Sequence, residues 1–130
     1  MLYLDSSALV KLVVDERESA ALAADLGESP LAGSALSRTE VVRAVARADP
    51  RRVGAAVAVV ASLALIDISG AVLDAAARLA PRSLRSLDAI HLASALELRD
   101  DLTAFVAYDK RLLDAASALG MPVVSPGRDS

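Results

Sequence analysis

Hydrophobic positions along the chain fall into two kinds of block. Short, nearly continuous apolar runs recur at residues 1–4 (MLYL), 30–36 (PLAGSAL), 63–69 (LALIDIS), 102–109 (LTAFVAYD) and 122–125 (PVVS). Runs of this length, bounded by Gly, Pro, Asp or Ser, predict buried strands. Between them lie stretches whose apolar residues stand three and four apart, the spacing of a helix face. These predict helices over SALVKLVVDE after Asp5 or Ser6, over Ser19–Leu26, from Ser37 through SRTEVVRAVARA, from Pro50 to about Leu63, from Gly70 to Ala80, over LDAIHLASALELR after Ser86, and over DKRLLDAASALG. The punctuation agrees. Ser69 and Ser86 are good N-caps, Ser37-x-x-Glu40 reads as a capping box, Gly27 and Gly120 are stops, and Pro81 closes a helix.

Strands alternating with helices predict an α/β fold with a central, mainly parallel sheet of about four to five strands, covered on both faces. Such sheets place their sites outside the carboxyl ends of the strands. Two strand ends here carry an acid, Asp5 and Asp109. The 130 residues suit one domain. We expect it to span 1–125, with 126–130 as a flexible tail. No internal repeat, linker or low-complexity segment interrupts it.

Composition narrows the function classes. The only aromatic residues are Tyr3, Phe105 and Tyr108, which argues against a nucleic-acid surface built on stacked rings. The absence of cysteine removes disulfides, thiol nucleophiles and Cys-based zinc sites, and is compatible with a cytoplasmic protein. The N-terminus lacks the basic region of a secretory signal. The longest uncharged run, Val53–Ile66, is too short to span a bilayer, so no membrane association is expected. Net charge is −3, so attraction to RNA or DNA has to come from local arginines or a bound cation. The twelve arginines against two lysines, with the excess of alanine, read as the signature of a GC-rich genome.

Among seventeen acids, four sit at strand ends or in the first turns of helices. Asp5 follows the first strand and is equally readable as an N-cap or a ligand. Glu40 lies in the first turn of a helix, where a capping box with Ser37 and an i+3 pair with Arg43 give it a structural account. Asp88 occupies a first turn, where the helix dipole favours an anion, among the apolar neighbours Leu87, Ala89 and Ile90. Asp109 ends a strand and can start the next helix. Each is weak evidence separately. In a parallel sheet, however, strand ends and helix starts gather at one edge. Unit charges about 4 Å apart repel by about 4 kcal/mol at an effective dielectric of 20. A hard divalent cation removes that conflict, and an all-oxygen pocket suits Mg²⁺ or Mn²⁺ better than zinc.

The segments MLYLDSSALVKL, LSRTEVVRAV, LRSLDAIHLASAL and FVAYDKRLLDAASALG, in that order, resemble the four acidic motifs of PIN-domain proteins, specifically the VapC-type toxin ribonucleases. The resemblance runs from residue 2 to about 124. It implies a PIN-like α/β/α sandwich, with Asp5, Glu40, Asp88 and Asp109 as the catalytic metal-site acids and Glu40 acting directly or through water. It also implies Mg²⁺- or Mn²⁺-dependent endonucleolytic cleavage of RNA, homodimerisation, and neutralisation by a VapB-type antitoxin in a type II toxin–antitoxin system. One position departs from the pattern. Where the last motif often has Thr or Ser two residues before its acid, this chain has Ala107.

Ser6 and Ser7 are candidates for holding the Asp5 carboxylate, with Ser6 capping the helix. Arg43, Lys110 and Arg111 are candidate RNA contacts. Most of the basic stretch Arg38, Arg43, Arg47, Arg51 and Arg52 reads as a solvated face. Lys11 reads as a surface charge. His91, the only histidine, shares a helix face with Asp88 and is expected to be packed and hydrogen-bonded rather than a general base. The alanine-rich faces of Ser19–Leu26 and Pro50–Leu63 are candidates for a dimer contact. Two other readings compete: an aspartyl-phosphate protein, weakened because position 7 is Ser where D-x-D needs an acid, and a non-catalytic PIN-like binding module.

Overall fold

The computed structural model describes residues 1–128. Its sheet is built from β1 (Leu2–Leu4), β2 (Leu31–Ser34), β3 (Ala64–Ile66), β4 (Ala104–Val106) and β5 (Val123–Val124). All neighbours are parallel, in the order β3-β2-β1-β4-β5. Strand β1 is central. Leu2 lies opposite Leu31 on one side and Ala104 on the other.

The period-2 alternation of side chains divides the core between the two faces of the sheet. Leu4 and Val106 face a cluster made with α1 (Ser6–Val10), α2 (Ser19–Leu26), α3 (Ser37–Ala48) and α4 (Val53–Ala61), centred on Leu9, Leu22, Val41, Val45 and Val60. Tyr3 and Phe105 face the other way, against Leu92 of α6 (Ser86–Leu96) and Leu112 of α7 (Lys110–Ala118). Helix α5 (Gly70–Ala77) joins α6 through Val72, Ala76, Ala89 and Ala93. The result is the expected α/β/α sandwich. Tyr3 stacks on Phe105 with ring centroids 5.3 Å apart, so two of the three aromatics are committed to the core.

Boundaries shift where tertiary contacts compete with local pattern. Helix α1 stops at Val10, and the chain continues through tight turns in which Lys11 N bonds Ala8 O and Val13 N bonds Val10 O. Lys11 is then drawn to Glu18 at 3.0 Å and Glu16 at 3.5 Å, with its ammonium 4.8 Å from the Tyr108 ring centroid. It is a clasp rather than a free surface charge. Helices α5 and α6 end earlier than their sequence patterns suggest. Gly27 closes α2 at φ 50° and Gly120 follows α7 at φ 86°, backbone angles that glycine tolerates at no steric cost.

The segment expected to be a flexible tail is held as far as it is described. Tyr108 Oη donates to Pro126 O at 2.7 Å, and Arg128 N to Ser125 O at 3.0 Å. Asp129 and Ser130, the rest of that expected tail, lie outside the described residues. Among the described residues, no helix is long and apolar enough to cross a membrane.

Candidate active site

Strands β2 and β3 extend the sheet to one side of β1, and β4 and β5 to the other, so the topological switch falls between β1 and β4. Crevices at such a point, outside the carboxyl ends, are where open parallel sheets bind ligands. Asp5 follows β1 directly, and Asp109 follows β4 by three residues. Glu40 and Asp88 lie in the first turns of α3 and α6.

Asp5 is 6% exposed and is itself the N-cap of α1. Its Oδ1 accepts from Ala8 N at 2.9 Å, and Ser7 Oγ donates to Oδ1 and Oδ2 at 3.0 and 2.9 Å. This reverses part of the sequence reading, in which Ser6 caps the helix and both serines hold Asp5. Cap and ligand are not alternatives here, because Asp5 caps with one oxygen at the edge where the other acids gather. Burial raises its pKa above the ordinary carboxylate value despite these bonds and a nearby His91, and the charge of Asp88 pushes the same way.

Ser6 serves a different acid. Its hydroxyl donates to Glu40 Oε1 at 2.6 Å and lies 2.8 Å from Ser37 Oγ. The same Glu40 oxygen is 2.8 Å from His91 Nε2, and His91 Nδ1 is 2.8 Å from Tyr3 Oη. The donor count closes if Tyr3 O–H donates to Nδ1 and the Nε2–H donates to Glu40, a tautomer assigned from the hydrogen-bond pattern. Burial and the Asp5 charge raise the Tyr3 pKa, keeping its proton in place as donor. Burial alone would raise the Glu40 pKa, but the bonds from His91 and Ser6 outweigh it and hold Glu40 below its usual value. The capping box expected at Ser37–Glu40 does not form, and α3 starts with no side-chain cap. Ser37 is buried inside the helix, and both residues turn inward to partners distant in sequence.

Asp88 is half-buried. Burial and the charge of Asp109 raise its pKa, against the pull of His91 and Arg85. Asp109 is exposed and caps α7, accepting from Leu112 N at 3.0 Å. Ala107 is fully buried in the cluster with Tyr3, Leu92 and Leu112, so Asp109 is fixed by its cap without a hydroxyl at 107. The acids thus sense one another's charge along a single edge. They do not form a closed cage: among the described residues, no three His, Asp or Glu side chains are grouped so that they could hold a metal ion. An oxygen-only donor set under mutual repulsion fits Mg²⁺, which is commonly bound through one or two carboxylates and several waters.

Of the candidate RNA contacts, Arg111 lines a cleft with Asp88 and Asp109. Lys110 is tied to Asp114 at 3.0 Å. Arg43 is exposed on α3, one turn beyond Glu40. Arg51 and Arg52 are drawn to Asp49 at 3.0 and 3.6 Å. His91 is packed and hydrogen-bonded, as its place in an apolar helix predicts; the identity of its partners, Tyr3 and Glu40, was not legible in the sequence.

A three-layer parallel sheet with acids converging at its switch point defines a class of α/β proteins with a carboxylate-lined edge. A PIN-domain profile matches residues 2–118. Ribonuclease VapC46 of Mycobacterium tuberculosis is 47% identical over 126 residues, covering 96% of this chain and 97% of that protein. Ribonuclease VapC47 of the same species is 40% identical, with 98% of each covered. The crystal structure of Mycobacterium tuberculosis VapC20, described as a sarcin–ricin loop cleaving toxin, superposes with a TM-score of 0.72 over 97% of this chain and 100% of that one, at 19% identity, a likeness of fold. The chain belongs to the PIN-domain family, and within it to the VapC ribonucleases.

Proposed function

We propose that the protein is the toxin of a type II toxin–antitoxin pair, an endoribonuclease that hydrolyses RNA phosphodiesters at the edge formed by Asp5, Glu40, Asp88 and Asp109. The observation that carries this reading is the buried Asp5 carboxylate, its pKa raised, set beside a second raised acid, Asp88, at the sheet's switch point. Clustered acids with raised pKa values in a crevice mark functional sites, because folding alone gains nothing from them. The relatives named as ribonucleases support the same chemistry.

Asp5, Asp88 and Asp109 would hold Mg²⁺ or Mn²⁺, one or two of them directly and the rest through bound water, with Glu40 as a direct ligand or through water. Bound there, such an ion supplies an activated water and charge stabilisation for phosphodiester cleavage. The chain's own contribution is positioning. Ser7 and the Ala8 amide fix Asp5, Ser6 and His91 fix Glu40, and the α7 cap fixes Asp109. A VapB-type antitoxin is the proposed inhibitor. A homodimer is the proposed assembly, formed through the exposed small residues of α2 and α4, where Val57 is 53% exposed.

The test is cleavage of total RNA with and without Mg²⁺, with the new ends mapped. Wild-type protein should leave 5′-phosphate and 3′-hydroxyl ends. A folded Asp88→Asn variant should not cleave, and full activity in that variant would sink the assignment. A phosphorylated protein intermediate would instead support the aspartyl-phosphate reading. The burial and double Ser7 bond of Asp5 already disfavour that reading.

A further inference from the structure

Two clefts flank the loop between α5 and α6. One, of about 470 Å³, has Asp88 and Asp109 on its wall together with Arg85 and Arg111. The other, of about 670 Å³, carries Arg78 and Arg82. Both are lined by Pro81 and Leu84, so they adjoin across the loop. All four arginines are exposed. Among the described residues, none of the four forms an ion pair or side-chain hydrogen bond. The acid that also lines the first cleft away from the edge, Asp114, is paired with Lys110 at 3.0 Å. On a protein of net charge −3, this is a local basic track that starts at the candidate active site.

We propose that single-stranded RNA follows this track. One nucleotide beside the scissile phosphate lies in the cleft with Arg85 and Arg111, and the strand continues past Pro81 and Leu84 to Arg78 and Arg82. The proposal rests on the ribonuclease reading and adds the path. Three arguments carry it. The first cleft falls in the size range of small-ligand pockets and shares a wall with the reacting acids. Backbone-tracking grooves for single strands are lined by cations. Unstacked bases pack on aromatic rings or guanidinium planes; here Tyr3 and Phe105 are buried in the core, and Tyr108 lies under the Lys11 ammonium and lines neither cleft, so within the clefts the surfaces are guanidinium planes and the apolar loop side chains.

The experiment measures binding of a fluorescent, random-sequence single-stranded RNA of about 20 nucleotides by anisotropy across a salt series in EDTA, alongside cleavage of total RNA with Mg²⁺. The double variant Arg78→Ala/Arg82→Ala removes exposed side chains and should fold. Its affinity should fall about tenfold at 0.1 M salt, and its log–log salt slope should shrink by about 1.4, or about 0.7 for each lost phosphate contact. The control Arg51→Ala/Arg52→Ala removes two charges already committed to Asp49 and should bind as wild type. If wild-type protein cleaves RNA and the double variant binds with unchanged affinity and slope, the path is wrong while the ribonuclease reading stands. Failure of that variant to co-purify with its co-expressed antitoxin would then assign the clefts to a protein partner. If wild-type protein neither binds nor cleaves RNA, both fall together.

Discussion

Tyr3→Phe isolates one bond in the network that positions Glu40. The substitution deletes a hydroxyl and keeps the ring, so the stack on Phe105 at 5.3 Å survives and no large cavity opens. What is lost is the 2.8 Å bond to His91 Nδ1. His91 is 3% exposed, so its nitrogen cannot turn to water instead. Leaving a buried polar atom without its partner costs about 1–3 kcal/mol. For a chain of 130 residues, each kcal/mol moves the melting temperature by about 4 °C, so Tm should fall by about 4–12 °C. Circular-dichroism melts of wild-type protein, Tyr3→Phe, His91→Leu and the double variant form a cycle. Tyr3→Phe should cost much less in the His91→Leu background, because the nitrogen it orphans is already gone. Equal cost in both backgrounds would show that the hydroxyl acts through other neighbours, such as Ser94 and Ser34 beside it, and would refute the Tyr3–His91–Glu40 chain.

The raised Asp5 pKa gives a pH signature in metal-free protein. Asp5 ionises more readily unfolded than folded, so its contribution is greatest below its unfolded pKa of about 3.9 and is lost as pH rises through the folded value. Asp5→Asn keeps an N-cap and should therefore melt above wild type by a margin that widens from about pH 4 toward neutrality; a margin that is flat or narrows contradicts the burial argument. Glu40 runs the other way: its depressed folded pKa stabilises above the unfolded value and that gain is lost as pH falls, so Glu40→Gln should erase part of the acid-side loss in Tm. Ser7→Ala should weaken Mn²⁺ binding by calorimetry about threefold to tenfold, from one charge-assisted hydrogen bond. Ser6→Ala should instead raise the Glu40 pKa, read by NMR titration, and no change in that pKa would remove Ser6 from the site.

The order of elements was legible because buried strands leave short apolar runs and helices leave apolar positions three and four apart; of the serine caps expected at Ser6, Ser37, Ser69 and Ser86, only Ser69 caps its helix. MLYL and TAFVAY marked β1 and β4, and Asp5 and Asp109 marked the edge. Local pattern misled where a polar side chain had a better partner far away. Ser37 and Glu40 satisfy a capping-box spacing, yet their bonds go to Ser6 and His91, 31 to 51 residues distant. The short α1 has the same origin, since Lys11 and the turns after Val10 answer to Glu16, Glu18 and Tyr108. The cleft arginines escaped notice because Arg78, Arg82 and Arg85 are scattered among apolar and turn residues. Only the folding of the α5–α6 loop against α7 aligns them with Arg111.

The central position of β1 has a consequence for when the protein can act. Residues 2–4 are made first, but one of their two sheet neighbours is β4, about a hundred residues later. Translation at about 5–20 residues per second separates the two strands by roughly 5–20 seconds. Until β4 emerges, Asp5 sits on a half-paired strand, and Asp88 and Asp109 have no edge to share with it. A stalled or truncated chain therefore carries Asp5 without the acids that share its edge, and any chemistry at that edge waits until synthesis is nearly complete.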